Sequence, residues 1–146
     1  MKWVTRHKIR INRTATAWLI RRFIDPKAEF LFVDPEQVAG VQSHENAKGF
    51  DAPGAAYPHK DMHGRCSFEA LAEEHCRHDA VLKAMSAIVR AADFREELHT
   101  VPEAAGLECI SFGFPLVSED DLQTLERASF LYDSLYASLK ARLSKK

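Results

Sequence analysis

No apolar run in the sequence approaches the roughly 18 to 20 residues that a membrane-spanning helix requires, so no span is expected. The N-terminus lacks the apolar stretch of a secretory signal, which predicts a cytoplasmic protein. The three cysteines, Cys66, Cys76 and Cys109, contain no CxxC pair. An odd set of that kind builds neither a disulfide framework nor a four-cysteine zinc site, and reduced thiols fit the cytoplasm. Glycine-rich phosphate fingerprints are missing, so nucleotide cofactors are not indicated. There is no nucleophile elbow for Ser/His/Asp chemistry and no HExxH zinc motif. With no internal repeat and no low-complexity linker, one domain over residues 1–146 is the economical reading.

What is present is the material of an ordinary globular core, with 46% hydrophobic and 28% charged residues over 146 positions. The net charge of −1 conceals an asymmetry. Between Met1 and Lys27 the chain carries Lys2, Arg6, Lys8, Arg10, Arg13, Arg21, Arg22 and Lys27 against Asp25 alone. Such an end can attract nucleic acid, and it can equally offer guanidinium forks to a small oxyanion.

Short apolar–polar alternation at Trp3–Arg6 and Ile9–Ile11 predicts a first strand or extended arm. Thr14 then caps a helix whose stripe is Ala15, Trp18, Leu19 and Phe23, and Pro26 stops it. Residues Glu29–Val33, EFLFV, have strand composition and end at Asp34-Pro35, a cap followed by proline at the first helical position. A short helix through Val38 and Val41 follows. Further on, Asp79 caps a helix over Ala80–Ala92. The run at Pro102–Phe114 predicts a buried helix that closes at Gly113 and Pro115. Ser118-Glu-Asp-Asp starts a last long helix with Leu122, Leu125, Ala128, Tyr132, Leu135, Leu139 and Leu143 on its stripe, and Arg142, Lys145 and Lys146 suit its end. The expected fold is α+β and predominantly helical, with a small N-terminal strand pair packed on a helical bundle.

The chemistry concentrates in Phe50–Glu69, FDAPGAAYPHKDMHGRCSFE. Pro53, Gly54, Pro58 and Gly64 break regular periodicity there, so the segment reads as an extended loop whose side chains are free to converge. Asp51, His59, Asp61, His63 and Glu69 supply the nitrogen and oxygen donors that hold zinc, iron or manganese. Ser67 is the expected N-cap of a helix beginning after the loop, and free N–H groups there favour an anion or a Cys66 thiolate. His75, Cys76 and His78 form a second, compositional cluster whose members need not share one helix face.

Several ordered segments are similar to a known family. MKWVTR at Met1–Arg6, Arg13 with the Trp18–Asp25 segment WLIRRFID, Phe50-Asp51-Ala52-Pro53-Gly54, Cys66-Ser67-Phe68-Glu69, Ile88–Asp93 (IVRAAD), Ala104–Leu107 and Leu131-Tyr132-Asp133 resemble, in order, the C-terminal domain of the chromate-resistance protein ChrB. The resemblance implies a setting in bacterial chromate resistance, encoded alongside a chromate exporter and linked to chromate sensing. By position it implies roles for Arg6, Arg13, Asp51, His59, Cys66, Glu69 and Asp93, with either His59 or His63 filling the histidine position. Longer members have an additional N-terminal region associated with regulating transcription. This sequence starts at the C-terminal domain, so direct DNA control is not expected of it.

Two readings follow, with a third from interaction chemistry. In the first, the central loop and the basic N-terminal segment form a pocket for a metal ion or an oxyanion such as chromate, with Asp51, His59, His63, Glu69 and Asp93 as metal ligands. Arg6, Arg13, Arg22 and Ser67 would be the oxyanion donors. The second is a small metal- or thiol-dependent redox enzyme acting on chromate or reactive oxygen species, with Cys66 as the candidate catalytic thiol. The third is a protein-interaction module whose acidic second half meets a basic partner. The expected partners are a small anion or a metal ion, with no membrane, no nucleic acid for this domain alone, and a homo-oligomer compatible with the sequence.

Overall fold

The computed structural model describes residues 1–145; Lys146, the end of the expected basic tail, lies outside the described residues. Strand β1 (Lys2–Arg6) is central in a three-stranded parallel sheet of order β2-β1-β3, flanked by β2 (Glu29–Val33) and β3 (Lys48–Gly49). The predicted strand pair is thus β1 with β2, in register from Lys2 opposite Glu29 to Arg6 opposite Val33. The third strand, only two residues long, carries no periodic signal that a sequence reading could detect.

Parallel neighbours require crossovers, and helices supply them. Helix α1 (Ile11–Leu19), prolonged by a π-helical turn at Ile20–Ile24, connects β1 to β2; α2 (Val38–His44) connects β2 to β3. Strand alternation divides the side chains between two faces. Trp3, Phe30 and Phe32 join the main core, while Val4, Leu31 and Val33 pack with Val38 and Ala52 on the other side. Helices α3 (Ser67–Cys76), α4 (Ala80–Asp93), α5 (Pro102–Val117) and α6 (Asp121–Leu143) complete the bundle around α1. Buried polar groups lock α1 to its neighbours: Asn12 donates to Ser67 Oγ at 2.8 Å, and the Thr14 and Tyr132 hydroxyls share a hydrogen bond of 2.6 Å.

Five local expectations are corrected. Ile9–Ile11 is not strand, and α1 starts at Ile11 with Arg10 in the capping position. Thr14 therefore sits inside the helix, where its hydroxyl bonds back to the Ile11 carbonyl. The N-cap of α3 is Cys66, so Ser67 is its first helical residue. Finally, α5 runs through Gly113 and Pro115 to Val117, because a proline in the last turn forfeits only one backbone bond. It is not a buried helix either. Only Ala104, Leu107 and Ser111 are buried, while Ile110, Phe112, Leu116 and Val117 face solvent.

Candidate functional site

The strand order places β1 beside β2 on one edge and β3 on the other, so the chain changes direction across the sheet between β1 and β3. At the carboxyl ends of such strands the connections diverge and leave a crevice, the usual ligand position in open parallel sheets. Arg6 is the last residue of β1, and Asp51 is the second residue after β3. The backbone of Asp51 is fixed from several sides. Phe50 N–H donates to the Val4 carbonyl, the Phe50 carbonyl accepts from Thr5 Oγ1 at 2.6 Å, and Arg6 Nε donates to the Asp51 carbonyl at 2.7 Å. Asp51 has φ of 49°, a left-handed conformation that a non-glycine residue adopts only when its surroundings over-determine it.

The loop that follows turns back over this point. Gln42 in α2 secures it, its amide oxygen accepting from the N–H groups of Gly49 and Ala56 and its nitrogen donating to the Gly54 carbonyl. Asp61 closes the next turn by accepting from the N–H groups of His63 and Arg65. Between these anchors His59 is delivered to Asp51, with its ring edge-on to Phe94 at 5.2 Å. Asp93, the last residue of α4, arrives from the opposite side.

Asp51, His59 and Asp93 each offer a ligand atom, and these atoms lie within 4.8 Å of one another. His59 Nδ1 is 2.9 Å from Asp51 Oδ1 and 3.2 Å from Asp93 Oδ2. One ring N–H cannot satisfy both acceptors. It is aimed at Asp51, which leaves Asp93 Oδ2 buried without a hydrogen bond. Arg6 and Arg13 approach the other Asp51 oxygen at 3.4 and 3.5 Å, and Arg13 Nε is likewise buried without a partner.

The electrostatics follow from this crowding. Burial pushes the Asp93 carboxyl up to about 7, and the negative charge of Asp51 adds to the shift; His59, Arg13 and Arg6 act against it. The hydrogen bond to Asp51 raises the pKa of His59 against the opposing effect of burial, and the charge of Asp93 raises it further. Two carboxylates and an imidazole are a donor set suited to zinc, iron or manganese. Metal bonds of about 2 Å put neighbouring ligands about 3 to 4 Å apart, a spacing that small side-chain rotations reach from here.

Other sequence candidates are placed elsewhere. Glu69 is committed to the Cys66 N–H and to Arg90, and Arg22 pairs with Asp133 at 2.7 Å. His63 is exposed on the loop, outside the cluster. Ser67 is fully buried, its hydroxyl bonded to Asn12 and Thr16 and so turned away from any anion at the helix end. Cys66 is also fully buried, and burial pushes its thiol well above the ordinary range, opposite to what a reactive thiolate needs. In the second cluster, His75 pairs with Glu74. Phe94 and Gln42 support the site without having been candidates. Phe94 at least adjoins Asp93 in sequence, whereas nothing local marks Gln42.

This geometry defines a mainly helical α+β protein with a carboxylate–histidine cluster beside two arginines at the switch point of a small parallel sheet. Residues 3–139 match the family described as ChrB, C-terminal domain, and the chain belongs to that family. It is 35% identical over 136 residues to Protein ChrB of Cupriavidus metallidurans; the match takes in 92% of this chain and 40% of that relative. The chain therefore spans well under half the length of the curated relative. No solved structure matches. No helix among the described residues is long and apolar enough to cross a membrane.

Proposed function

We propose that this chain serves chromate resistance by holding a divalent transition metal ion, zinc, iron or manganese, between Asp51, His59 and Asp93, with Arg6 and Arg13 receiving an oxyanion such as chromate beside it. The observation that carries this reading is the buried Asp93 oxygen without a hydrogen bond, facing a carboxylate and an imidazole of the central loop. A buried polar atom of that kind costs stability unless something satisfies it. A divalent ion would do so, and the two carboxylates would balance its charge. The arginines then remain as positive charge available to an anion.

The test is calorimetric titration of metal-free protein with zinc, manganese or ferrous iron, followed by chromate. The expected result is one ion per chain, loss of that binding in Asp93→Asn, and chromate binding that depends on Arg13. Ion binding that persists unchanged in Asp93→Asn overturns the reading. A second reading, direct oxyanion binding without an ion, is favoured by the unpartnered Arg13 Nε. It is distinguished by chromate binding of equal strength with and without metal.

A further inference from the structure

Arg13 also borders a hollow of about 490 Å³, which Asp51, His59 and Asp93 do not line and which is within the size range of small-molecule pockets. One wall is basic: His7, Lys8, Arg10 and Arg13. The other comes from the exposed end of α5, with Phe112, Pro115 and Leu116. No carboxylate lines it. His7 is matched by Asp34 at 2.6 Å and Arg13 is turned toward Asp51, so the charge left over belongs to Lys8 and Arg10, which make no ion pair among the described residues. The Arg10 guanidinium lies over the Phe112 ring at 5.2 Å, a stacking that holds its fork in one plane.

The segment bearing these cations is rigidly held. Lys8 and Ile11 have φ of 58° and 39°, and Ile11 is β-branched, for which such values are rare. Ile9 N–H donates to Asp121 Oδ1 at 2.8 Å, and the Lys8 carbonyl accepts from Arg13 Nη2 at 3.1 Å. Opposite, Phe112 is 55% and Leu116 73% exposed, which is costly apolar surface to leave in water. Cations without a carboxylate partner on one wall and largely exposed apolar carbon on the other suit an amphiphilic anion.

We propose that this hollow is a second ligand site, with Arg13 on the border between it and the acid–histidine cluster, that takes a small organic anion: a phosphate, sulfonate or carboxylate held by Lys8 and Arg10, with an aromatic or apolar body against Phe112 and Leu116. Neither half suffices alone. Exposed charge pairs contribute little in water, and a patch of this size discriminates weakly by apolar contact. The combination gives selectivity.

The test uses naphthyl phosphate as probe, followed by its fluorescence, with naphthol and inorganic phosphate supplying the ring and the charge separately. The expected result is saturable binding of one naphthyl phosphate per chain, with both fragments at least about tenfold weaker. Arg10→Gln, at the half-buried capping position of α1, and Phe112→Ala, at an exposed position, both checked for folding by circular dichroism, each weaken it by roughly tenfold or more. His59→Ala and Phe130→Ala leave it unchanged, the first because the acid–histidine cluster is a different site, the second because Phe130 is exposed apolar surface outside the hollow. Absence of saturable binding, equal affinity for either fragment, or unchanged affinity in Arg10→Gln and Phe112→Ala overturns the proposal. So does loss of binding in His59→Ala, which would put the anion in the other site.

Discussion

Asp93 and His59 face each other at 3.2 Å, yet the imidazole N–H is directed at Asp51, and the Asp93 oxygen is left buried and unsatisfied. That mismatch links the site's stability, its proton affinity and its capacity for a ligand, and each can be measured.

Removing ligands should separate binding from folding. His59→Ala and Asp93→Asn are each expected to lower the affinity for zinc by roughly a hundredfold or more, beyond the effect usual for residues that merely orient a ligand. Asp93→Asn should not destabilise the metal-free chain, because it relieves the carboxylate repulsion with Asp51. Calorimetry and thermal melts of the same preparations check both halves.

The pH dependence has a definite sign. An unfolded aspartate releases its proton near 3.8, whereas folded Asp93 keeps it to about 7. Between those values the folded chain holds the extra proton, so stability falls as pH rises. His59 acts in the same direction, since its raised pKa gives stability that is full below 6.5 and fades as pH climbs through the folded value. Thermal melts of the metal-free protein should show a Tm that declines from mildly acidic to slightly alkaline pH, with a shallower decline in Asp93→Asn. Zinc affinity should rise over the same range, because binding displaces these protons.

Arg13 is expected to matter to the anion and not to the ion. Arg13→Gln removes a cation that lies 3.5 Å from Asp51 and helps to lower the Asp93 pKa. Chromate affinity in the metal-loaded protein should fall by about tenfold, the effect of losing one charge-assisted contact, while calorimetric zinc binding at alkaline pH stays close to wild type.

Gln42 anchors the loop from outside the cluster. Gln42→Ala leaves the N–H groups of Gly49 and Ala56 without their acceptor, at an expected cost of about 1 to 3 kcal/mol in urea denaturation. Gly49→Ala should act through the same residue, because a Cβ there would collide with the Gln42 amide oxygen and displace it. Both variants should also weaken metal binding, since the loop they release carries His59.

Thiol labelling tests the placement of Cys66. In the native chain Cys109, which is exposed, should react readily with an aromatic disulfide reagent, and Cys66 should react only on unfolding. Cys66→Ser is expected to lower stability without changing zinc affinity.

Much of the scaffold was legible in the sequence because it depends on local patterns. The EFLFV strand, the Asp34-Pro35 start, the Asp79 cap and the apolar stripe of α4 follow from period, composition and capping chemistry, which neighbouring residues alone can satisfy. Asp51 and His59 were also identifiable, as donors in a loop too broken by proline and glycine to be regular. The errors occurred where a local signal competed with a distant partner. Thr14 resembles a cap, but Tyr132 engages its hydroxyl. Ser67 also resembles one, but Asn12 and Thr16 draw it into the core and shift the cap to Cys66. The apolar composition of α5 suggested burial, yet the chain folds with much of that face turned to water.

By itself, then, the sequence determined the helical character, the β1–β2 pair, the loop and the stock of acids, imidazoles and guanidinium groups available to a site. Only the tertiary structure decided which of them meet. It brought Asp93 at the end of α4 to Asp51 and His59, and sent Glu69 to Arg90 and Arg22 to Asp133. Side-chain type and spacing are local properties, but convergence depends on how the sheet's crossovers and the bundle's packing return distant segments to one crevice.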